Sequence, residues 1–434
     1  PEHNTPPEHV EEENYFFRLS KYQKQLEKLI HTNKLKIIPE TRKNEILSFI
    51  RSGLEDFSVS RSVKRAHGWG VPVPGDGSQI IYVWFDALNI YQTAIGYGTN
   101  DKLYKKLWPA DLHVIGKGII RFHAIYWPAM LLSAALPLPK SIFVHGYITV
   151  EGQKMSKSLG NVVNPSDIVK KYGTDFLRYF MLGLTPFEDG DFSEHVLIER
   201  CNNELVANFS NLFYRITSFI EQNFDGKVPK GTLDKTLSAK FIKKSKDYQK
   251  LMDSYKLNEA LSTALQLSSE LNAYFQHKKP WENPKKSINT LYTSANLLKD
   301  VCTLLYPFIP SAMVKALDAL GAKPDVKSIG RDTLKSGRKI KPIMLFKKIE
   351  VQKTKEVKEI KAAEEQADTI EMIDGMISLK EFQKLDLRVG KIIEVSDHPN
   401  ADKMFIIHVD LGSEKRQLVV GLRGVYDKGI LLDK

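Results

Sequence analysis

Gly146-Tyr-Ile-Thr-Val-Glu-Gly-Gln-Lys154-Met155-Ser156-Lys157-Ser158-Leu-Gly160 lies between two legible elements. Before it, residues 142–150 are β-branched and aromatic, the composition of a strand. After it, Asn164-Pro165-Ser166-Asp167 opens a helix: Asn164 suits the N-cap, Pro165 the first helical position and Asp167 the positive helix end. Strand, Ser/Gly-rich loop and helix in that order belong to a βαβ unit, so they predict an α/β fold with a parallel sheet. The loop holds two lysines three residues apart. Lysine is a mobile point charge that suits a phosphate whose charge shifts during reaction. Small neighbours let such a loop close over a nucleotide and reopen. A solvated Lys/Ser loop has the same composition, so the string alone fits both readings.

The flanking segments extend the pattern. Residues 79–83 have the character of a strand, 84–91 helical spacing, 112–115 a short apolar run and 119–132 a helix-like one. Further upstream, Tyr15, Phe16, Leu19, Tyr22 and Leu26 recur at helical spacing. Beyond Phe192 the character is all-helical. One stripe runs through Ile198, Leu205, Phe209, Leu212, Ile216 and Phe219, a second through Leu257, Leu261, Ala264 and Leu271, and a third through Leu291, Ala295, Leu298, Cys302 and Leu305. Successive amphipathic segments predict a helical bundle. Residues 347–371 are rich in Lys and Glu and poor in core formers, which is the composition of a solvated linker. From Asp386 a two-residue period returns and resembles the start of a small β-barrel.

A chain of 434 residues suggests about three domains. With 42% hydrophobic and 26% charged residues it is neither wholly disordered nor fibrous. The net charge of +11 favours a polyanionic partner. Cys201 and Cys302 are the only cysteines, too few for a disulfide framework or a four-thiolate zinc site. The longest apolar stretch, residues 124–138, is broken by Pro128 and Pro137 and is too short to span a bilayer. The first residues lack the basic and apolar regions of a signal peptide, so the expected compartment is the cytoplasm. The chain starts at proline rather than methionine, as a fragment or processed product would.

Two groups of residues share helical faces. Trp84, Ala87, Leu88 and Tyr91 fall at i, i+3, i+4, i+7, and Ile119, Phe122 and His123 at i, i+3, i+4. By spacing alone these are core stripes, with His123 a satisfied core histidine. In the helical region Asn211 and Arg215 are one turn apart, and Trp281 follows Pro280 beside Lys278 and Lys279. By themselves these three residues fit a solvated polar face and a helix anchor.

Taken together, Glu12-Glu-Asn-Tyr-Phe-Phe17, Gly53-Leu-Glu-Asp-Phe-Ser-Val-Ser-Arg61, Tyr82-Val-Trp-Phe-Asp-Ala87, His113-Val-Ile-Gly-Lys117, Arg121-Phe-His-Ala-Ile-Tyr-Trp-Pro128, the lysine loop, Asp189-Gly-Asp-Phe-Ser193 and Lys279-Pro-Trp281 resemble the class I aminoacyl-tRNA synthetases, most closely the methionyl-tRNA synthetases. The resemblance implies a methionine–tRNA ligase. ATP, with Mg2+, and methionine form methionyl-adenylate by in-line attack on the α-phosphorus, and the methionyl group passes to the 3′ end of tRNA(Met). No covalent enzyme nucleophile is needed, so the protein's contribution is positioning and charge compensation.

By the same resemblance, Lys154, Met155, Ser156, Lys157 and Ser158 are the catalytic loop, with Lys157 on ATP. Trp84, Ala87, Leu88, Tyr91, Ile119, Phe122 and His123 line the methionine pocket, since a linear thioether suits apolar and aromatic walls. Asn211, Arg215 and Trp281 read the anticodon, whose unpaired bases are recognised by stacking and by hydrogen bonds to their edges. The implied division is residues 1–57 as the end of a connective region and 58–192 as the second half of a Rossmann-like catalytic domain with a stem-contact region. An anticodon-binding bundle (193–346), a charged linker (347–375) and a partial tRNA-binding OB-fold (376–434) follow. That last module suggests a homodimer, although only about half of a five-stranded barrel fits.

The sequence departs from the family in three places. Gly118 stands where the family usually has aspartate, and Leu88 where some members have proline. The His-x-Gly-His signature and the cysteine-rich metal knuckle, both upstream in the family, are absent, so no zinc site is expected here. The chain by itself is therefore expected not to form the adenylate. A non-enzymatic tRNA-binding derivative, or a leucine or valine enzyme sharing the lysine loop, are the alternatives. The latter usually carry an editing insertion for which these spacings leave no room.

Overall fold

Three parallel strands form the sheet that the alternating pattern predicts. In this computed structural model, which describes residues 11–156, 160–350, 389–412, 414–424 and 426–434, Ser141–His145 lies centrally between Lys36–Ile38 and His113–Gly116. Both faces of a parallel sheet must be covered, which explains its near-continuous apolar character. Ile37, Ile115, Ile142 and Val144 pack with Leu26, Ile30, Ile46 and Ile50 from the helices Gln23–His31 and Glu40–Arg51. Ile120, Ala124 and Ile125 join the same core.

The strand expected over residues 142–150 is two strands in two sheets. Ser141–His145 belongs to the parallel sheet, whereas Ile148–Val150 pairs in parallel with Gly190–Phe192 and antiparallel with Gln153–Lys154. Gly146 makes the break possible. A Cβ there would lie 1.9 Å from the Glu188 carbonyl oxygen, so only glycine allows the two backbones to approach this closely. The helix expected through Tyr15 and Phe16 is likewise corrected. Phe16–Phe17 is a short strand paired with Phe57–Ser58, and helix begins only beyond Arg18. Aromatic residues there satisfy a distant strand rather than a local turn.

Residues 83–107 form three short helices, and Leu88 from this region joins Trp108, Trp127, Met130 and Leu131 in a second small core. The helix-like run 119–132 opens with a tight turn at Lys117–Ile119, widens into a π-helical turn over Phe122–Tyr126, and continues as Trp127–Ser133. Pro128 lacks the amide proton that a regular ladder would use, and π-turns recur at functional sites. Asn164 caps the helix Pro165–Tyr172 as its sequence predicts, accepting from the Ser166 amide at 3.0 Å.

The helical region is built on Ile288–Leu305, which is buried on nearly every side. Its charges are neutralised internally: the Lys299 ammonium meets Asp300 at 2.7 Å, Thr333 at 2.8 Å and Ser328 at 3.0 Å. Around it stand Asn211–Phe224, Lys235–Asp253, Leu257–Lys278 and Pro310–Ala319. The same core takes in Ile168, Phe176, Tyr179, Phe180 and Phe192. Asp175 caps Pro310–Ala319 by accepting from the Ser311 and Ala312 amides, and Arg178 donates to the Pro307 and Phe308 carbonyls.

The described residues fall into two units, one within residues 1–351 and one within 352–434. In the second, Lys391–Asp397, Phe405–Asp410 and Lys415–Val420 form an antiparallel meander over Phe405, Ile407, Val409 and Leu431. Ile392 exchanges backbone hydrogen bonds with Asp433 and Lys434, which covers part of one outer strand. Most of the expected linker, together with Lys157 and Ser158, lies outside the described residues.

Candidate functional site

The aromatic stripe and the helical run that follows His113–Gly116 meet face to face. Trp84 stacks on Phe122, with ring centroids 4.2 Å apart and planes 16° apart. Tyr91 and His123 meet through a 2.7 Å hydrogen bond between the phenol and Nε2. His123 Nδ1 lies 2.9 Å from the Ile119 carbonyl. A carbonyl only accepts, so Nδ1 carries the proton and Nε2 accepts from Tyr91. Burial lowers the pKa of His123, which keeps the ring neutral. His113 stands beside both, 4.4 Å from the Tyr91 ring, and burial takes its pKa down to about 4.

Four of the seven expected pocket residues thus meet as two pairs, Trp84 with Phe122 and Tyr91 with His123, and Ile119 supplies the carbonyl that orients the histidine. Ala87 is exposed on its helix, and Leu88 is buried in the core around Trp127. A three- or four-residue spacing puts residues on one face without saying which of them faces a ligand.

A second cluster joins this group to the lysine loop. Lys117 begins the turn that leads to Ile119, Phe122 and His123, and it pairs with Asp189 at 2.7 Å. Its ammonium also lies 4.9 Å from the centre of the Tyr147 ring. Asp189 accepts from the Tyr147 amide as well, at 2.8 Å, and the Lys117 contact lowers its pKa. Tyr147 leads directly into Ile148–Val150, the strand that pairs with Gln153–Lys154. Asp191 holds that hairpin from beneath, accepting from the Thr149 hydroxyl at 2.6 Å and the Gly152 amide at 2.8 Å.

The start of the lysine loop is fastened by a residue that sequence patterning did not single out. The Asn161 carboxamide accepts from the Ser156 amide at 2.8 Å and donates to the Lys154 carbonyl at 3.2 Å. Asn161 is close in sequence, but only the folded loop shows that it closes the turn. Lys154 is exposed, while Met155 and Ser156 are half-buried. Lys157 and Ser158 lie outside the described residues.

Gly118 has a neighbour that explains it. A Cβ at this position would lie 1.9 Å from the Tyr147 hydroxyl, although the backbone there does not itself require glycine. Tyrosine therefore occupies the space a side chain on residue 118 would need.

At the far end of the bundle, Arg215 donates to the Asn272 side chain at 3.3 Å and lies 5.6 Å from the centre of the Phe275 ring. With its amide oxygen turned inward, Gln276 accepts from both terminal nitrogens of Arg215 at 2.8 and 2.9 Å. Trp281 lies 6.2 Å from the same Phe275 ring and remains 44% exposed, and Asn211 is exposed one turn before Arg215. Phe275, buried beneath Arg215 and Trp281, is the residue that the spacing did not reveal.

Comparison with known proteins finds three family matches along the chain. Residues 3–217 match the family described as tRNA synthetases class I (M). Residues 226–366 match the anticodon binding domain of methionyl tRNA ligase, and residues 387–434 a putative tRNA binding domain. The methionine–tRNA ligase of Thermotoga maritima is 41% identical across the whole chain, which covers 69% of that protein. That of Bacillus subtilis is 38% identical, again across the whole chain and 69% of the relative. The solved structure of Mycobacterium tuberculosis methionyl-tRNA synthetase in complex with methionyl-adenylate superimposes with a TM-score of 0.72 at 36% identity, over 80% of this chain and 70% of that one. The chain belongs to the methionine–tRNA ligase family.

Proposed function

We propose that the aromatic group around Trp84 and the lysine hairpin are the two halves of one methionine-activating site. Trp84, Tyr91, Phe122 and His123 form the wall for the thioether side chain, a soft group that gains from contact with ring edges. Neutral His123 suits this role, because an imidazolium would oppose burial of an uncharged side chain. The methionine carboxylate attacks the α-phosphorus of ATP in line. The bond to the bridging oxygen breaks, pyrophosphate leaves, and Lys154 and Lys157 compensate the charge that gathers on it.

The transfer step needs only a hydroxyl of the terminal tRNA ribose. Its oxygen attacks the adenylate carbonyl, AMP departs with the bonding pair, and the hydroxyl proton is lost. Mg2+ enters with the nucleotide. Phosphate oxygens are its natural ligands. Asn211, Arg215 and Trp281 read the anticodon of tRNA(Met), and the C-terminal module adds sequence-tolerant RNA affinity and a surface for a homodimer. No described helix is long and apolar enough to cross a membrane, and the proposed compartment is the cytoplasm.

The observation that carries this reading is the Lys117–Asp189–Tyr147 cluster, which ties the lysine hairpin to the turn bearing the aromatic group. The test is pyrophosphate exchange by the full-length enzyme with Lys154→Ala and Lys157→Ala. The exchange rate is expected to fall far more than the affinity for methionine. An unchanged rate contradicts the assignment.

A further inference from the structure

Arg61-Ser-Val-Lys64-Arg65-Ala-His67-Gly68-Trp69-Gly70 presents a tryptophan that none of the sites above uses. Trp69 is 78% exposed, an unusual state for the largest apolar side chain. The loop that carries it is tightly built. Gly68 donates to the Val63 carbonyl at 2.9 Å, Ala66 to Ser62 and Trp69 to Ala66, both at 3.0 Å. Gly70 adopts a φ of +134°, and a Cβ there would lie 2.4 Å from the Ile80 side chain, so glycine is obligatory and the indole is held outward. Beside it is a cleft of about 590 Å³ lined by Arg61, Trp69, Gly70, Ile80, Tyr82 and Asp86.

Two features indicate what this cleft accepts. Residues 61–75 contain Arg61, Lys64 and Arg65 and no acid; Glu12 pairs with Arg65 at 3.0 Å and Asp86 lines the cleft, so Arg61 and Lys64 are the cations left to an RNA backbone. Arg61 lies over the Tyr82 ring, 4.6 Å from its centre. Cations interleaved with exposed aromatic rings are the chemistry of single-stranded nucleic acid: the rings stack on bases and the cations follow the phosphates. The cleft also has a position that matters. Tyr82, Val83 and Asp86 lie in the same helical turn as Trp84, so it adjoins the proposed methionine pocket.

We infer that Trp69 is a stacking platform for an unpaired base at the 3′ end of tRNA, with Arg61 and Lys64 along its phosphates. This rests on the tRNA-charging reading, because the reacting ribose must reach an adenylate beside Trp84. Trp69 then acts in methionyl transfer and not in activation, a step in which no RNA takes part.

The test uses the full-length enzyme with Trp69→Ala and Trp69→Phe. Affinity is measured for tRNA(Met) with its unpaired 3′ nucleotides intact and with them removed. The parent is expected to lose about tenfold in affinity on trimming, whereas Trp69→Ala binds both RNAs alike. Single-turnover transfer from preformed adenylate falls about tenfold or more in Trp69→Ala and is largely kept in Trp69→Phe. Pyrophosphate exchange keeps its rate in both. Equal losses on trimming in parent and Trp69→Ala overturn the inference. So does an exchange rate that falls with transfer, which would make Trp69 structural. A change only in self-association, with transfer intact, would assign the loop to a protein partner and also overturn it. If the parent itself shows no exchange, the activation reading fails, and the comparison of whole and trimmed tRNA still decides the role of Trp69.

Discussion

The hydroxyl of Tyr147 lies 1.9 Å from where a side chain on Gly118 would begin, so the two residues share one space. Gly118→Ala is expected to push the Tyr147 ring off Lys117 at a cost of about 1 kcal/mol. Tyr147→Ala vacates the space, so Gly118→Ala should cost less in that background. Urea unfolding of the double-mutant cycle measures the coupling. Strict additivity, within about 0.5 kcal/mol, would show that the two do not compete.

Asn161 holds the Ser156 amide and the Lys154 carbonyl across that turn. Asn161→Ala removes both contacts and loosens the start of the loop. Under the proposed role of the lysines, adenylate formation by the full-length enzyme should slow by about tenfold or more with little change in KM for methionine. A large rise in that KM with an intact rate would place the effect on the pocket instead.

His113 and His123 are both held neutral by burial, His113 with its pKa near 4. The sign follows from comparison with the unfolded chain, where histidine takes up its proton near 6.5. Above that pH neither state binds the proton and stability is unaffected. Below it the unfolded chain gains a proton that the folded one refuses, so stability falls with pH, by up to about 1.4 kcal/mol per pH unit for His113, down to about pH 4. His113→Phe removes this group. Urea unfolding at pH 7, 6 and 5 should therefore show a shallower loss in the variant than in the parent, and equal slopes would mean that His113 titrates normally.

The elements legible in the sequence were those fixed by local chemistry. Asn164 and Pro165 start their helix through a local cap, and the apolar stripe of Ile288–Leu305 declares itself by period. What escaped depends on partners far along the chain. Phe16 pairs with Ser58, and Gly146 is fitted to Glu188. Asp189 and Asp191 work through Lys117, Tyr147 and Thr149, and no spacing rule connects them. The same limit explains Leu88 and Ala87. Their spacing matches that of Trp84 and Tyr91, but orientation relative to the core at Trp127 decides which side chain is buried.

Arg215, on the helix Asn211–Phe224, and Trp281, in the turn after Leu257–Lys278, are far apart in sequence and meet over the buried Phe275. Under the proposed anticodon reading, the arrangement separates two contributions. The exposed Trp281 ring offers a face for one base, a contact whose loss costs about 1–3 kcal/mol, so Trp281→Ala should raise KM for tRNA(Met) by about tenfold or more and Trp281→Phe by much less. Arg215 is oriented by Asn272 and Gln276, so its guanidinium is a fixed fork rather than a swinging charge. Arg215→Lys keeps the charge, and the salt dependence of binding should stay as it is, because that slope counts phosphates neutralised. Discrimination between the methionine anticodon and its single-base variants should nevertheless fall, since an ammonium cannot make the forked contact. Pyrophosphate exchange must be unchanged in all three variants, as the bundle has no part in activation. If Arg215→Lys leaves anticodon discrimination intact while Arg215→Gln flattens the salt dependence, Arg215 is a backbone contact and the bases are read elsewhere.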